Sequence, residues 1–384
     1  MTDPQHSTPY WRLSGFYFFY FASLGALLPF WGPYLRNLGF GEAQIGELVA
    51  IIMATRIVAP NIWGWIADRH ARPISVVRLA SLLAAVCFAG VFLGSGYWWL
   101  ALVMVAFGFF WNASLPLFEA TTMNHLGTRT NRYSSIRLWG SIGFIAAVLS
   151  LGALFDRVDI RWLPVMLLLL FTGIWLNSLL VPEPAAPART ARHEPLRRVL
   201  VRREVSMLLL ATFLLHASHG PYYTFFTLYL EDQGYSRSLI GQLWALGVVA
   251  EIVLFLFMHR LLPAVGSRTL LIGALALTAL RWLLIAAFPQ HLMLLLGAQL
   301  LHAASFGVVH AVAIHLIHCF FVGPNQRKGQ ALYSSLSFGA GGALGSLLGG
   351  YLWISAGAFW TFAVSAVVAL ASLAVAWAGV HTRH

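Results

Sequence analysis

Charge is scarce in this sequence. Of 384 residues only 13 are Asp or Glu and 24 are Lys or Arg, while 59% are hydrophobic. A soluble protein carries about 25% charged residues, so a large soluble enzyme or binding domain is excluded and a polytopic membrane protein is indicated. Cysteine is nearly absent too. Cys87 and Cys319 fall in or beside separate apolar stretches, which leaves no disulfide framework. The glycines from Gly339 to Gly350 are not followed by Gly-Lys-Ser/Thr, so no phosphate loop and no ATP-driven step is expected. The spacing of Gly341, Gly345 and Gly349 fits close helix packing instead. No nucleophile–base set stands out, and an enzyme is not expected. The first apolar stretch is long and aromatic and lacks a small-residue cleavage site, so it is expected to remain as a membrane helix.

What the chain has in abundance is apolar runs. Their lengths predict an all-α membrane protein with twelve spans at roughly 12–35, 44–66, 75–95, 98–121, 136–155, 162–181, 206–230, 238–259, 269–288, 291–318, 330–353 and 357–379. The widest polar gap holds Pro182, Pro184, Pro187 and Pro195. It divides the chain into an N-terminal six-helix half at 1–181, a linker at 182–204 and a C-terminal six-helix half at 205–384.

The net charge of +11 could suggest nucleic acid, but the basic residues lie in short loops between spans and read as topology signals. Arg69, Arg72, Arg78, Arg129, Arg132, Arg137, Arg260, Arg268, Arg327 and Lys328 share the side of both termini. The opposite side holds Arg36, Arg157, Arg161 and Arg237, mostly near acids. Both termini, and the linker, are therefore expected in the cytoplasm of a bacterial-type inner membrane. Trp98, Trp99, Trp162, Trp353 and Trp360 fall at the opposite boundary, as an aromatic belt would.

The halves repeat. The stretch from Pro29 to Leu48 aligns without gaps on Thr224 to Leu243, with Phe30/Phe225, Tyr34/Tyr229, Leu35/Leu230, Gly39/Gly234, Ile45/Ile240, Gly46/Gly241 and Leu48/Leu243 coinciding. Such a parallel duplication of six-helix halves is the architecture of major facilitator transporters. The same register sets Arg56 opposite Glu251.

A charge at the centre of a span costs roughly 2.5–3.5 kcal/mol on insertion scales, so each one is a functional candidate. Glu251 and Arg281 fall near mid-depth on consecutive spans. They are expected to pair, either as a static packing contact or as a switch in which Glu251 takes a proton and frees Arg281. Arg56, Arg137 and Arg281 are candidates to hold a substrate acid group, because the guanidinium fork matches a carboxylate. His302 and His310 read as polar groups facing a wet cavity. Pairs such as His216 and His219 could bind a metal, but no neighbouring ligand completes a site and none is expected. Trp244 and Trp282 are among the aromatic residues that could stack on an aromatic substrate.

Gly64-Trp-Ile-Ala-Asp68-Arg69-His-Ala-Arg72-Pro resembles the major facilitator loop between helices two and three. Gly64, Asp68, Arg69 and Arg72 match its gating signature, whereas Ala71 and Pro73 depart from it. Further segments resemble the phenylpropionate permease family: Phe16 to Trp31, Ile136 to Gly143, Leu243 to Glu251, and Leu280-Arg281-Trp282. That family is related to the lactose permease type of proton symporter. The resemblance implies substrate contacts at Glu119 and Arg137 and a coupling set of Glu251, Arg281 and His302. Lactose permease carries a proton on a Glu three residues after its His, where this chain has Ser305; Glu251 is the leading substitute.

The expectation is a monomeric proton-coupled symporter, in contact with lipid and not with nucleic acid, that imports a small aromatic carboxylate such as 3-phenylpropionate. It would need no cofactor beyond the proton gradient. Two readings stand beside it: a sugar or nucleoside symporter using the same charges, and a non-transporting assembly factor or sensor on this fold.

Overall fold

The computed structural model describes residues 8–69, 73–127, 129–183, 199–321 and 325–380. Long helices fill these segments. They are α1 (Tyr10–Asn37), α2 (Glu42–Arg69), α3 (Pro73–Ala89), α4 (Tyr97–Leu126), α5 (Tyr133–Phe155), α6 (Leu163–Leu180), α7 (Arg203–Asp232), α8 (Arg237–Val265) and α9 (Ser267–Ala287). Then come α10 (Leu292–Phe320) and two rods, α11 (325–356) and α12 (358–379), which run on from each other except at Gly357, where φ is 87°. Most of the expected linker lies outside the described residues.

Ten helical stretches among the described residues are long and apolar enough to cross a membrane. One of them, Lys328–Gly379, has 52 residues, far more than the roughly 20 a bilayer needs, and the Gly357 break divides it. α7 has 30 residues but is not among the ten. Thr212, His216, Ser218 and His219 dilute its apolar character. The outward surface is apolar: Leu79, Val86, Leu102, Leu169, Leu256, Leu348 and Val367 stand exposed along the helices. Such a surface would aggregate in water and is expected where lipid is the solvent. The chain is a multi-pass membrane protein.

The internal repeat is visible in backbone geometry. α1 ends with Gly39 at φ 91°, with Gly39 N–H donating to Arg36 O (2.9 Å) and Phe40 N–H to Leu35 O (3.2 Å). α7 ends with Gly234 at φ 84°, with Gly234 N–H donating to Glu231 O (2.9 Å) and Tyr235 N–H to Leu230 O (3.1 Å). Both are the same left-handed glycine cap. A second pairing caps helix ends at the opposite face. Arg78 of α3 donates to Ser178 O and Val181 O at the end of α6, and Arg268 of α9 donates to Trp377 O near the end of α12. Cations there satisfy the last carbonyls and oppose the helix dipole. The arginines that signal topology in the sequence thus also finish helices.

Small residues set how the two halves meet. α2 packs on α11, α5 on α8 and α1 on α7. A Cβ at Gly46 of α2 would lie 2.6 Å from Ser346 O of α11, and one at Gly241 of α8 would lie 2.3 Å from Val148 O of α5. These two glycines coincide in the sequence repeat, and each sits at a close helix approach. Gly341, Gly345 and Gly349 do what their spacing predicts: Cβ atoms at Gly341 and Gly345 would meet Phe213 O at 2.5 Å and Ala217 O at 2.0 Å of α7.

Candidate functional site

The far face, opposite the termini, is clamped shut by three polar contacts between halves. Arg36, at the end of α1, bonds Asp232 at the end of α7 (2.6 Å). Asp156, just past α5, accepts the N–H groups of Arg237 (2.8 Å) and Ser238 (3.1 Å) at the start of α8. An acid at that helix start also meets the positive end of the dipole. Glu47 of α2 accepts hydroxyl bonds from Tyr97 of α4 and Tyr351 of α11.

Those charges do not pair as the sequence suggested. Glu251 and Arg281 make no ion pair: Glu251 Oε2 lies 3.7 Å from His302 Nε2. Arg281 is fully buried. Its guanidinium donates to Ala298 O (3.0 Å), Ser305 Oγ (3.1 Å) and Gln299 Oε1 (3.4 Å) and lies over the rings of Tyr222 and Trp282. Ser305, which stands where the resemblance to lactose permease would put an acid, thus takes one arm of the arginine. Neutral acceptors and ring faces crowd the guanidinium and occupy the edge that Glu251 would need. A buried cation without a carboxylate partner is costly, and its hydrogen bonds offset only part of that cost.

The remaining charges lie nearer the interface of the halves. Glu119 of α4 accepts from Tyr133 of α5 (3.3 Å). Arg137, one turn further along α5, lies 3.7 Å over Phe21 of α1 and makes no hydrogen bond or ion pair to a described residue. Arg56 of α2 reaches across to α11, where its Nε donates to Ser334 Oγ (3.2 Å) and its guanidinium lies 4.7 Å over Phe338. All three are half-buried. Arg56 and Arg137 therefore each rest on a phenyl ring while keeping N–H donors without a carboxylate among the described residues. Such forks suit a carboxylate ligand.

The histidines separate into two kinds. His302 and His310 of α10 flank Phe306 in a parallel stack, and His310 Nδ1 lies 3.3 Å from Tyr333 OH. His216 and His219 donate from Nδ1 to the carbonyls of Thr212 and Leu215 within α7. No group of three metal-ligating side chains occurs among the described residues.

Trp244 and Trp282 pack in a hydrophobic cluster with Tyr222 and Phe226. Both are buried, with indole N–H groups bonded to Thr227 Oγ1 and Ser218 Oγ at 3.1 Å. They belong to the core of the second half, so the expected role as a stacking surface does not fall to them. Of the gating signature, Gly64 stands in open space and Arg69 lies over the Trp65 ring at 3.5 Å. Arg72 and the Asp68 side chain fall outside the described residues.

Phe21, Phe306, Phe338, Ser334, Tyr133 and Gln299 join the site although sequence reasoning passed over them. Gln299 could have been found, being polar within an apolar span. The three phenylalanines could not, since the chain has 27 and spacing alone does not say which face the interior.

Sparse charges held between two clamped helical halves fit a transporter of the major facilitator type. The chain belongs to the MFS_1 like family, whose model matches residues 10–364. It is 30% identical over 92% of its length to 94% of a protein described as a probable 3-phenylpropionic acid transporter from Escherichia coli K12. It is 28% identical over 88% of its length to 86% of a maltose permease from Geobacillus stearothermophilus. The crystal structure of the nucleoside transporter NupG superposes with a TM-score of 0.80 at 18% identity, covering 96% of this chain and 97% of that one, which speaks for the fold alone.

Proposed function

We propose that this chain is a proton-coupled importer of a small aromatic carboxylate of the 3-phenylpropionate kind. The observation that carries the reading is the pair of ring-backed arginines, Arg56 and Arg137, whose donors have no carboxylate partner among the described residues. The relative described as a 3-phenylpropionic acid transporter supports the same substrate class. On this reading the twelve-span fold sits in a bacterial inner membrane with cytoplasmic termini, as a monomer, and its two halves rock about the central site. Arg56 and Arg137 hold the carboxylate. Glu119, joined to Tyr133, orients the floor of the site beside Arg137. Glu251 takes and releases the proton, and His302 at 3.7 Å is its immediate partner. His310 and Tyr333 extend the polar wall toward the near face.

The closed far face fits a state that releases substrate toward the termini. Opening it requires the clamps at Arg36, Asp156 and Glu47 to part while α2–α11 and α5–α8 re-pack.

The test is uptake of labelled 3-phenylpropionate by proteoliposomes, with and without an inward proton gradient. Gradient-dependent accumulation that an unlabelled aromatic acid competes away, and maltose and a nucleoside do not, supports the reading. Competition by the neutral solutes instead would transfer the site to the sugar or nucleoside alternative. Absence of gradient-dependent accumulation would sink proton symport.

A further inference from the structure

Two stretches of π-helix occur among the described residues, Ala303–Val308 in α10 and Ser334–Gly341 in α11. Each faces the central site. Residues four apart share one face of such a helix, and the side chains follow. His302, Phe306 and His310 form a column with ring planes within 11° and 8° of parallel and centroids 5.5 and 5.8 Å apart. Ser334 and Phe338, also four apart, both meet Arg56. The two columns touch where Phe306 stands edge-on to Phe338, centroids 6.0 Å apart at 68°.

Phe306 and Phe338 are half-buried. Phe338 lies against His216 and Tyr333 and, from the other half, against Arg56. The turn bearing Phe306 lies against Glu251 and Leu254 of α8 through Gly307. Both keep uncovered surface beside charged or polar groups, His302 and His310 at Phe306 and Arg56 at Phe338. Apolar area left wet there costs about 25 cal/mol per Å², a cost that a ligand's apolar part would remove.

We propose that Phe306 and Phe338 form the subsite that selects an aryl group, with the ligand carboxylate held next to it by Arg56. The inference rests on the carboxylate reading above and assigns to α10 and α11 the aromatic contact that Trp244 and Trp282 cannot make.

The experiment measures kcat/KM in proteoliposomes for 3-phenylpropionate and for hexanoate, a straight-chain acid of comparable length. Replacing Phe306→Leu or Phe338→Leu is expected to lower the aryl-to-alkyl ratio roughly 2- to 10-fold, the range of aromatic pair contacts. Phe306→Tyr and Phe338→Tyr, which keep the ring, are expected to restore most of it. Equal loss for both acids would mark the rings as packing residues and overturn the subsite while leaving carboxylate transport standing. Tyr variants no better than Leu would overturn it as well. A wild-type protein that carries neither acid would overturn the underlying reading, and the subsite with it.

Discussion

Replacing Glu251 by Gln should disconnect accumulation from the proton gradient without stopping exchange. The structure makes this a clean perturbation. Gln keeps the length of the side chain and its packing on the α10 turn, where Glu251 Cγ lies 3.2 Å from the position of a Gly307 Cβ. The substitution removes only the carboxylate's approach to His302 Nε2 at 3.7 Å, which is beyond hydrogen-bond range, so the fold is little weakened. The functional magnitude follows from proton coupling. One proton carried with each carboxylate moves no net charge, so each pH unit across the membrane supports a tenfold concentration ratio, about 1.36 kcal/mol. A gradient of about 1.5 units should thus give the wild type roughly 30-fold accumulation. Glu251→Gln should fall to a ratio of about 1, because its central group no longer gains and loses a proton. Exchange of internal unlabelled for external labelled substrate moves no net proton and should persist. The assay is uptake and exchange in the same proteoliposomes. Normal accumulation by Glu251→Gln would refute the proton assignment. Loss of exchange along with accumulation would show that Glu251 holds substrate or structure instead.

Four further outcomes are expected. Arg56→Lys and Arg137→Lys each remove a guanidinium fork but keep the charge, so KM for the carboxylate should rise roughly 10- to 100-fold, the range of a charge-assisted hydrogen bond; unchanged KM values would remove that arginine from the site. Gly345→Ala puts a methyl 2.0 Å from Ala217 O, an overpacking worth about 1–3 kcal/mol, and should lower the Tm in detergent by a few degrees. Gly64→Ala, where a Cβ meets nothing within 4 Å, should leave it unchanged or higher. Asp156→Asn removes the carboxylate at the start of α8, a helix-end charge worth about 0.3–1 kcal/mol, and should raise far-face opening about 2- to 5-fold. Maleimide labelling of Val148→Cys, in a chain with Cys87→Ser and Cys319→Ser, would read that opening, and an unchanged rate would show that the clamp does not hold the closed state.

The sequence alone determined the class of this protein, because the bilayer constrains composition more strongly than a soluble core does. Scarce charge, long apolar runs, the Gly39/Gly234 and Gly46/Gly241 repeat and the glycine ladder from Gly341 were all readable one residue at a time, and the geometry gives each a matching cap or close approach. The few mid-span charges were readable too, since each is costly wherever it points. Their partners were not. Whether Arg281 meets Glu251 or Ser305 depends on the rotation of α9 against α10, and a one-residue π-turn changes that rotation without leaving a mark in hydropathy. For the same reason Trp244 and Trp282 look like site aromatics in sequence but pack in the core, while Phe21, Phe306 and Phe338 look like ordinary lipid-phase residues and face the interior. Hydropathy reports what lies in the membrane; only the packed helices decide which side of each one is wet.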